Sequence, residues 1–155
     1  MPELKNYIMA NSINTDKKLS PNFTLLELLA GQTETRKNIT AQFEPPDEII
    51  ENLKFLCKNF LERLRELNGD RPLFISSGYR CPRLNKAVGG VKNSQHLQGQ
   101  PADIDFGNKK ANKQFFDKIR KSDIVFDQLL NEFGFSWVHI SLRKEGNRQQ
   151  VLDIS

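Results

Sequence analysis

Two histidines, His96 and His139, occur in the 155 residues, and Asp103 follows the first across a short polar stretch. Imidazole nitrogens and a carboxylate oxygen are donors of the kind that hold a catalytic zinc ion. Such a site takes about three protein ligands and keeps one position open. With two histidines available, a third ligand has to be a carboxylate or a thiolate. Cys57 and Cys81 lack metal-motif spacing, and nothing in the chain suggests an oxidising compartment, so both read as reduced thiols. Gly99 and Pro101 can turn the chain between His96 and Asp103. Spacing alone leaves another reading open, with His96 a surface loop residue and His139 a hydrogen-bonded strand residue.

These groups need elements to carry them. Thr24-Leu25-Leu26-Glu27 has the form of a capping box opening a short helix, and Gly31 is a plausible stop. Residues 32–45 are polar, end in Pro45-Pro46 and read as a loop. Ile49, Leu53, Leu56, Phe60, Leu64 and Leu67 recur at steps of three and four, with Ile50, Cys57 and Leu61 widening the face. That pattern predicts a long scaffold helix from Asp47 to Asn68. Leu73–Ser76 suits a buried strand. Residues 77–101 form a long polar loop with about one helical turn near Leu84–Val88, and a loop of that length in a compact domain is usually functional. Ala102–Phe106 alternates and reads as a strand carrying Asp103 and Asp105 on one face. A helix is expected over Asn108–Arg120, and strands over Phe126–Leu130 and Trp137–Leu142, with His139 on a face shared by Trp137 and Ser141. Helices first and short strands after them predict an α+β fold.

The local words narrow the chemistry. Ser94-Gln95-His96-Leu97-Gln98-Gly99-Gln100-Pro101-Ala102-Asp103-Ile104-Asp105 fits Ser-x-His-x-x-Gly-x-x-Ala-Asp-x-Asp. Ser77-Gly78-Tyr79-Arg80 stands upstream, and Phe126-Asp127-Gln128-Leu129-Leu130-Asn131-Glu132 and Trp137-Val138-His139-Ile140-Ser141 stand downstream. Together, over about Leu19 to Leu152, they resemble the zinc D-Ala-D-Ala carboxypeptidase family, and most closely its small phage and bacterial cell-wall hydrolases. The resemblance implies a Hedgehog/DD-peptidase-like domain, with helices packed on a mainly antiparallel sheet. It implies one Zn2+ per chain on His96, Asp103 and His139. It sets Arg80 against the substrate; Ser94 and Gln95, as polar loop residues, are expected to line the same cleft, and Asp105 is expected as an acceptor orienting a ligand histidine and not as a ligand itself. Many family members carry an acid three positions before the last histidine, where this chain has Ser136. The related Hedgehog domain keeps its glutamate several residues earlier, so Glu132 is the expected general base, with Asp127 behind it.

The implied activity is hydrolysis of a peptide bond in peptidoglycan stem peptides, of D-Ala-D-Ala carboxypeptidase or L,D/D,D-endopeptidase type. The competing expectation is an inactive, zinc-stabilised binding or structural module of the same fold. At 37% hydrophobic and 27% charged residues the chain reads as one globular domain, residues 20–155, after a loosely ordered lead-in at 1–19. The net charge is +4, but the lysines are scattered and the aromatics fall at apolar-periodic positions, so nucleic acid is not an expected partner. No apolar run is long enough to span a bilayer, and the N-terminus has no signal-peptide pattern. The expectation is therefore a chain that is cytoplasmic as synthesised, either released to the wall through a phage-type lysis pore or acting on recycled wall peptides in the cytosol; a monomer is expected.

Overall fold

The structure is a computed structural model and describes residues 16–31 and 38–154. Most of the expected lead-in, residues 1–15, and residues 32–37 of the first loop lie outside the described residues. Lys18 and Leu19 do not belong to a loose lead-in. They join β1 (Lys18–Ser20), paired antiparallel with β2 (Phe23–Thr24), and Leu19 is buried in the core.

The capping box forms. Thr24 accepts from the Glu27 amide, and the Glu27 carboxylate accepts from the Thr24 amide at 3.1 Å, starting α1 (Leu25–Ala30). The scaffold helix, α2, is continuous through Asp47–Leu56, Cys57–Leu61 and Glu62–Leu67. Its middle segment is wider than an α-helix, with the Glu62 amide reaching back five residues to the Cys57 carbonyl. Within it Asn59 returns its side-chain amide to the Phe55 carbonyl at 3.0 Å, competing with the regular ladder. Leu53, Leu56, Cys57, Phe60, Leu61 and Leu64 are all buried, as the periodicity requires. Each large apolar side chain removed from water there contributes roughly 1.5–3 kcal/mol.

The remaining elements are β3 (Ile75–Ser77), α3 (Pro82–Ala87), a 3₁₀ turn at Gln95–Gln98, β4 (Pro101–Ile104), α4 (Lys109–Lys121), β5 (Gln128–Glu132), β6 (Trp137–Ser141) and β7 (Gln150–Ile154). Several boundaries move by one or two residues from the sequence expectations. Strand β3 starts at Ile75 and not Leu73, and α3 begins at Pro82 with the Cys81 sulfur accepting from the Leu84 amide. Asn108 caps α4 through the Ala111 amide, and Phe115, Phe116 and Ile119 pack inward.

One five-stranded sheet results, in the order β3-β4-β6-β5-β7, antiparallel except for the parallel β5–β7 pair. Val138 and Ile140 turn one face of β6 into the core with the α4 side chains, so His139 between them faces the other way. Strand β7 escapes the sequence reading because Val151, Leu152 and Ile154 are all exposed and show no alternation. Among the described residues no helix is long and apolar enough to cross a membrane.

Candidate metal centre

Strand register explains why residues far apart in sequence meet. Asp103 on β4 pairs directly with His139 on β6, and directly paired residues point to the same face of a sheet. His96 arrives from the 3₁₀ turn, where the Ser94 hydroxyl accepts its backbone amide at 3.2 Å. His96 Nε2 lies 3.3 Å from one Asp103 oxygen, and His139 Nδ1 lies 2.9 Å from the other. One donor atom from each of the three residues falls within 4.8 Å of the others, and all three side chains are buried. These are the residues the sequence singled out.

The histidine geometry is decided by neighbours. His96 Nδ1 sits 2.6 Å from the Gly78 carbonyl, so Nδ1 carries a proton and Nε2 is the nitrogen that faces Asp103 and the site. Gly78 is needed there. A Cβ on it would lie 2.6 Å from the Leu28 carbonyl oxygen, because the loop runs tight against α1. Burial works to raise the Asp103 carboxyl. The two imidazoles facing it outweigh burial and hold the group well below the usual carboxylate range.

Glu132 belongs to this cluster by hairpin geometry. Leu130 pairs with His139 and Glu132 with Trp137, so Glu132 is the same-face diagonal neighbour of His139. Its carboxylate is 3.9 Å from His139 Nδ1. Burial, and then the charge of Asp103, push the Glu132 carboxyl above its ordinary value. The hairpin turn that follows places Phe133, Gly134 and Phe135 at positive φ, and the Asn131 side chain accepts the Phe135 amide at 2.6 Å. Two bulky residues in that region carry strain of order 1–3 kcal/mol each, which surrounding contacts must hold.

Arg80 enters from the β3–α3 loop. Its amide donates to the His96 carbonyl at 3.0 Å, and its Nη2 donates to the Ser94 hydroxyl at 3.0 Å. Burial draws the guanidinium below its ordinary value, while the charges of Asp103 and Glu132 act in the opposite direction. Its Nε is buried without a hydrogen-bond partner.

Other expectations change. Asp105 does not orient a histidine: its Oδ1 accepts from the Gly107 amide and from Asn112 Nδ2, because strand β4 has ended and the chain turns toward α4. Asp127 is buried and already committed. Arg148 grips it through two nitrogens, at 3.0 and 2.7 Å, Arg143 stands at 3.3 Å, and Gln95 donates at 2.8 Å. Arg148 above all holds its carboxyl down at about 2. That leaves Asp127 a brace between the His96 turn and the C-terminal segment, and Gln95 its partner. A cavity of about 850 Å³ lined by Phe74, Phe106, Phe115 and Lys118 contains none of these groups. Sequence reasoning missed the Gly78 carbonyl and the buried Gln42 beside the Arg80 loop, since neither stands in a pattern that announces chemistry.

Two likenesses to known proteins accompany this geometry. The profile of a family described as Peptidase M15 matches residues 21–141, a stretch that contains every residue of the cluster. The zinc D-Ala-D-Ala carboxypeptidase of Streptomyces albus G is 37% identical over 49 residues, 32% of this chain. That match covers 19% of the relative's own length.

Proposed function

The chain belongs to the peptidase M15 family, and from that premise we propose that it is a zinc metallopeptidase hydrolysing a peptide bond in bacterial peptidoglycan stem peptides. The observation that carries the reading is the buried His96, Asp103 and His139 donor set with the Glu132 carboxylate beside it. Two imidazole nitrogens and one carboxylate oxygen suit zinc, and the Gly78 carbonyl already fixes the tautomer that His96 needs. Bound there, one zinc ion per chain would lower the pKa of water and polarise the scissile carbonyl.

The protein's own groups do the rest. Glu132 takes the proton of the attacking water and delivers it to the leaving amine. Its raised pKa suits a group that must accept and then release a proton. Arg80 clamps a substrate carboxylate or the carbonyl oxygen as charge develops there, while Ser94 holds the end of the guanidinium in place. Glu132 also argues against an inactive zinc-stabilised module, which has no need of a half-buried carboxylate 3.9 Å from a ligand histidine. The bond is of D-Ala-D-Ala or of L,D/D,D-endopeptidase type.

The test is zinc content together with hydrolysis of a D-Ala-D-Ala-terminated stem peptide and of intact wall fragments, before and after chelation. One zinc per chain and chelator-sensitive cleavage of either substrate is the expected result. Zinc without cleavage of either would overturn the enzymatic reading in favour of the binding module.

A further inference from the structure

Gln42 lies on a 3₁₀ turn, Thr40–Phe43, and is fully buried. Every polar atom of its side chain is engaged. Nε2 donates to the Leu29 carbonyl at 2.8 Å and to the Tyr79 carbonyl at 2.7 Å, and Oε1 accepts the Cys81 amide at 2.8 Å. Two donors and one acceptor on a single planar group match a carboxamide. A carboxylate lacks the donors, a lysine or arginine lacks the acceptor, and an apolar side chain has neither.

The two loop contacts fall on either side of Arg80. Tyr79 is held by its carbonyl and Cys81 by its amide, while the Arg80 amide is held by the His96 carbonyl. Backbone direction at residue 80 is therefore constrained on both flanks and at its centre. Among the described residues the guanidinium has only the Ser94 hydroxyl as a side-chain hydrogen-bond partner. A long side chain with one distal tie takes its aim from its backbone, so the clamp decides where the charge points.

We propose that Gln42 is a positioning residue that sets Arg80 for substrate by clamping the backbone on both sides of it. This rests on the reading of Arg80 as the substrate-binding cation. Gln42 touches no metal ligand through its side-chain hydrogen bonds, and its influence passes through the Tyr79–Cys81 backbone. Fully satisfied buried polar groups of this kind fix one arrangement among several that apolar packing would tolerate.

A double-mutant cycle tests it. Zinc-loaded wild type, Gln42→Met, Arg80→Met and the double variant are compared on a D-Ala-D-Ala-terminated stem peptide. Gln42→Met should lower kcat/KM by roughly 10–100-fold with zinc content unchanged. The same change should cost less than about 2-fold when Arg80 is already methionine, because coupled residues are not additive. A readout free of turnover comes from amide and side-chain NMR. The Arg80 Nε–H, buried in the wild type, should exchange at least about 10-fold faster in Gln42→Met. The indole signal of the sole tryptophan, Trp137, should stay in place as a folding control. Gln42→Glu keeps the volume and the acceptor for Cys81, and carries both measurements should Gln42→Met fail to fold. Equal losses in both backgrounds, or unchanged Arg80 Nε–H exchange, overturn the proposal. If Arg80→Met leaves turnover intact, the substrate role of Arg80 falls, and the exchange measurement alone decides whether Gln42 positions it.

Discussion

Glu132 and Gly78 do different work on the same few ångströms of space. Glu132 is the carboxylate with reach to the site, 3.9 Å from His139 Nδ1, and its strand pairing with Trp137 does not involve the carboxylate's place beside the donors. Glu132→Ala is therefore expected to bind zinc as the wild type does and to lose about 10²–10⁴ in kcat. Zinc analysis and stem-peptide hydrolysis on the same preparation check this, and retained turnover would remove Glu132 from the mechanism. Gly78 acts through its carbonyl on His96. In Gly78→Ala the new methyl meets the Leu28 carbonyl at 2.6 Å, so the loop must move away from α1 and take its carbonyl with it. A loss of roughly 1–3 kcal/mol in stability and of about 10–100-fold in zinc affinity should follow, read by denaturant unfolding and by competition with a chelating dye. Normal zinc affinity in that variant would mean His96 is oriented by something else.

At the scale of elements, the His96 turn and β7 are tied together by one buried carboxylate. Asp127 takes the Arg148 guanidinium and the Gln95 amide, its own amide donates to Ser141, and its carbonyl accepts from Gln150, the first residue of β7. Its pKa is about 2 in the fold against an ordinary 3.8, so its contribution to stability is complete above about pH 3.8 and is lost as the pH falls toward 2. Asp127→Asn should cost about 1–3 kcal/mol at neutral pH, because one acceptor of a buried network becomes a donor. The variant should then lose less further stability than the wild type across that acid window. Urea unfolding at a series of pH values measures both, and parallel curves through the window would show that Asp127 is not the source. The widened turn of α2 belongs to this scale too. Leu56 just before it and Cys57, Phe60 and Leu61 within it are all buried.

Across the whole molecule, the three donors come from a loop turn and two different strands, and a metal ion on them would cross-link the sheet to the Arg80 and His96 loops. Binding to the folded state alone adds stability as RT ln(1 + [L]/Kd), about 2.7 kcal/mol at a hundredfold excess over Kd. Chelation should lower the thermal midpoint of the wild type by several degrees, and a His139→Ala variant should unfold at the same temperature with or without chelator. Scanning calorimetry checks both, and chelator sensitivity in His139→Ala would place the metal elsewhere. Both cysteines lie in the interior, and burial pushes the Cys57 thiol far up. The native chain should therefore resist alkylation that the unfolded chain accepts at both positions, with mass spectrometry counting the labels.

Much of this molecule is legible in its sequence where chemistry is local. The capping box at Thr24 and the period of the long helix depend on residues three and four apart, and Ile49, Leu53, Leu56, Phe60 and Leu64 are buried as that period demands. The grouping of His96 and His139 with Asp103 was suggested by the family resemblance of the Ser94–Asp105 stretch, since spacing alone left it open. Contacts between distant segments were not readable. Glu132 and Asp127 are two acids five residues apart, and no local pattern separates a carboxylate beside His139 from one consumed by Arg148. Hairpin register and the return of the C-terminal segment decide that. Asp105 looks like a partner for a histidine until β4 ends one residue before it. The orientation of His96 by a glycine carbonyl, and the clamp of Gln42 around Arg80, join backbone atoms to side chains across 18 and 37 positions. Backbone carbonyls are the same at every residue, so only the tertiary structure can say which one a side chain meets.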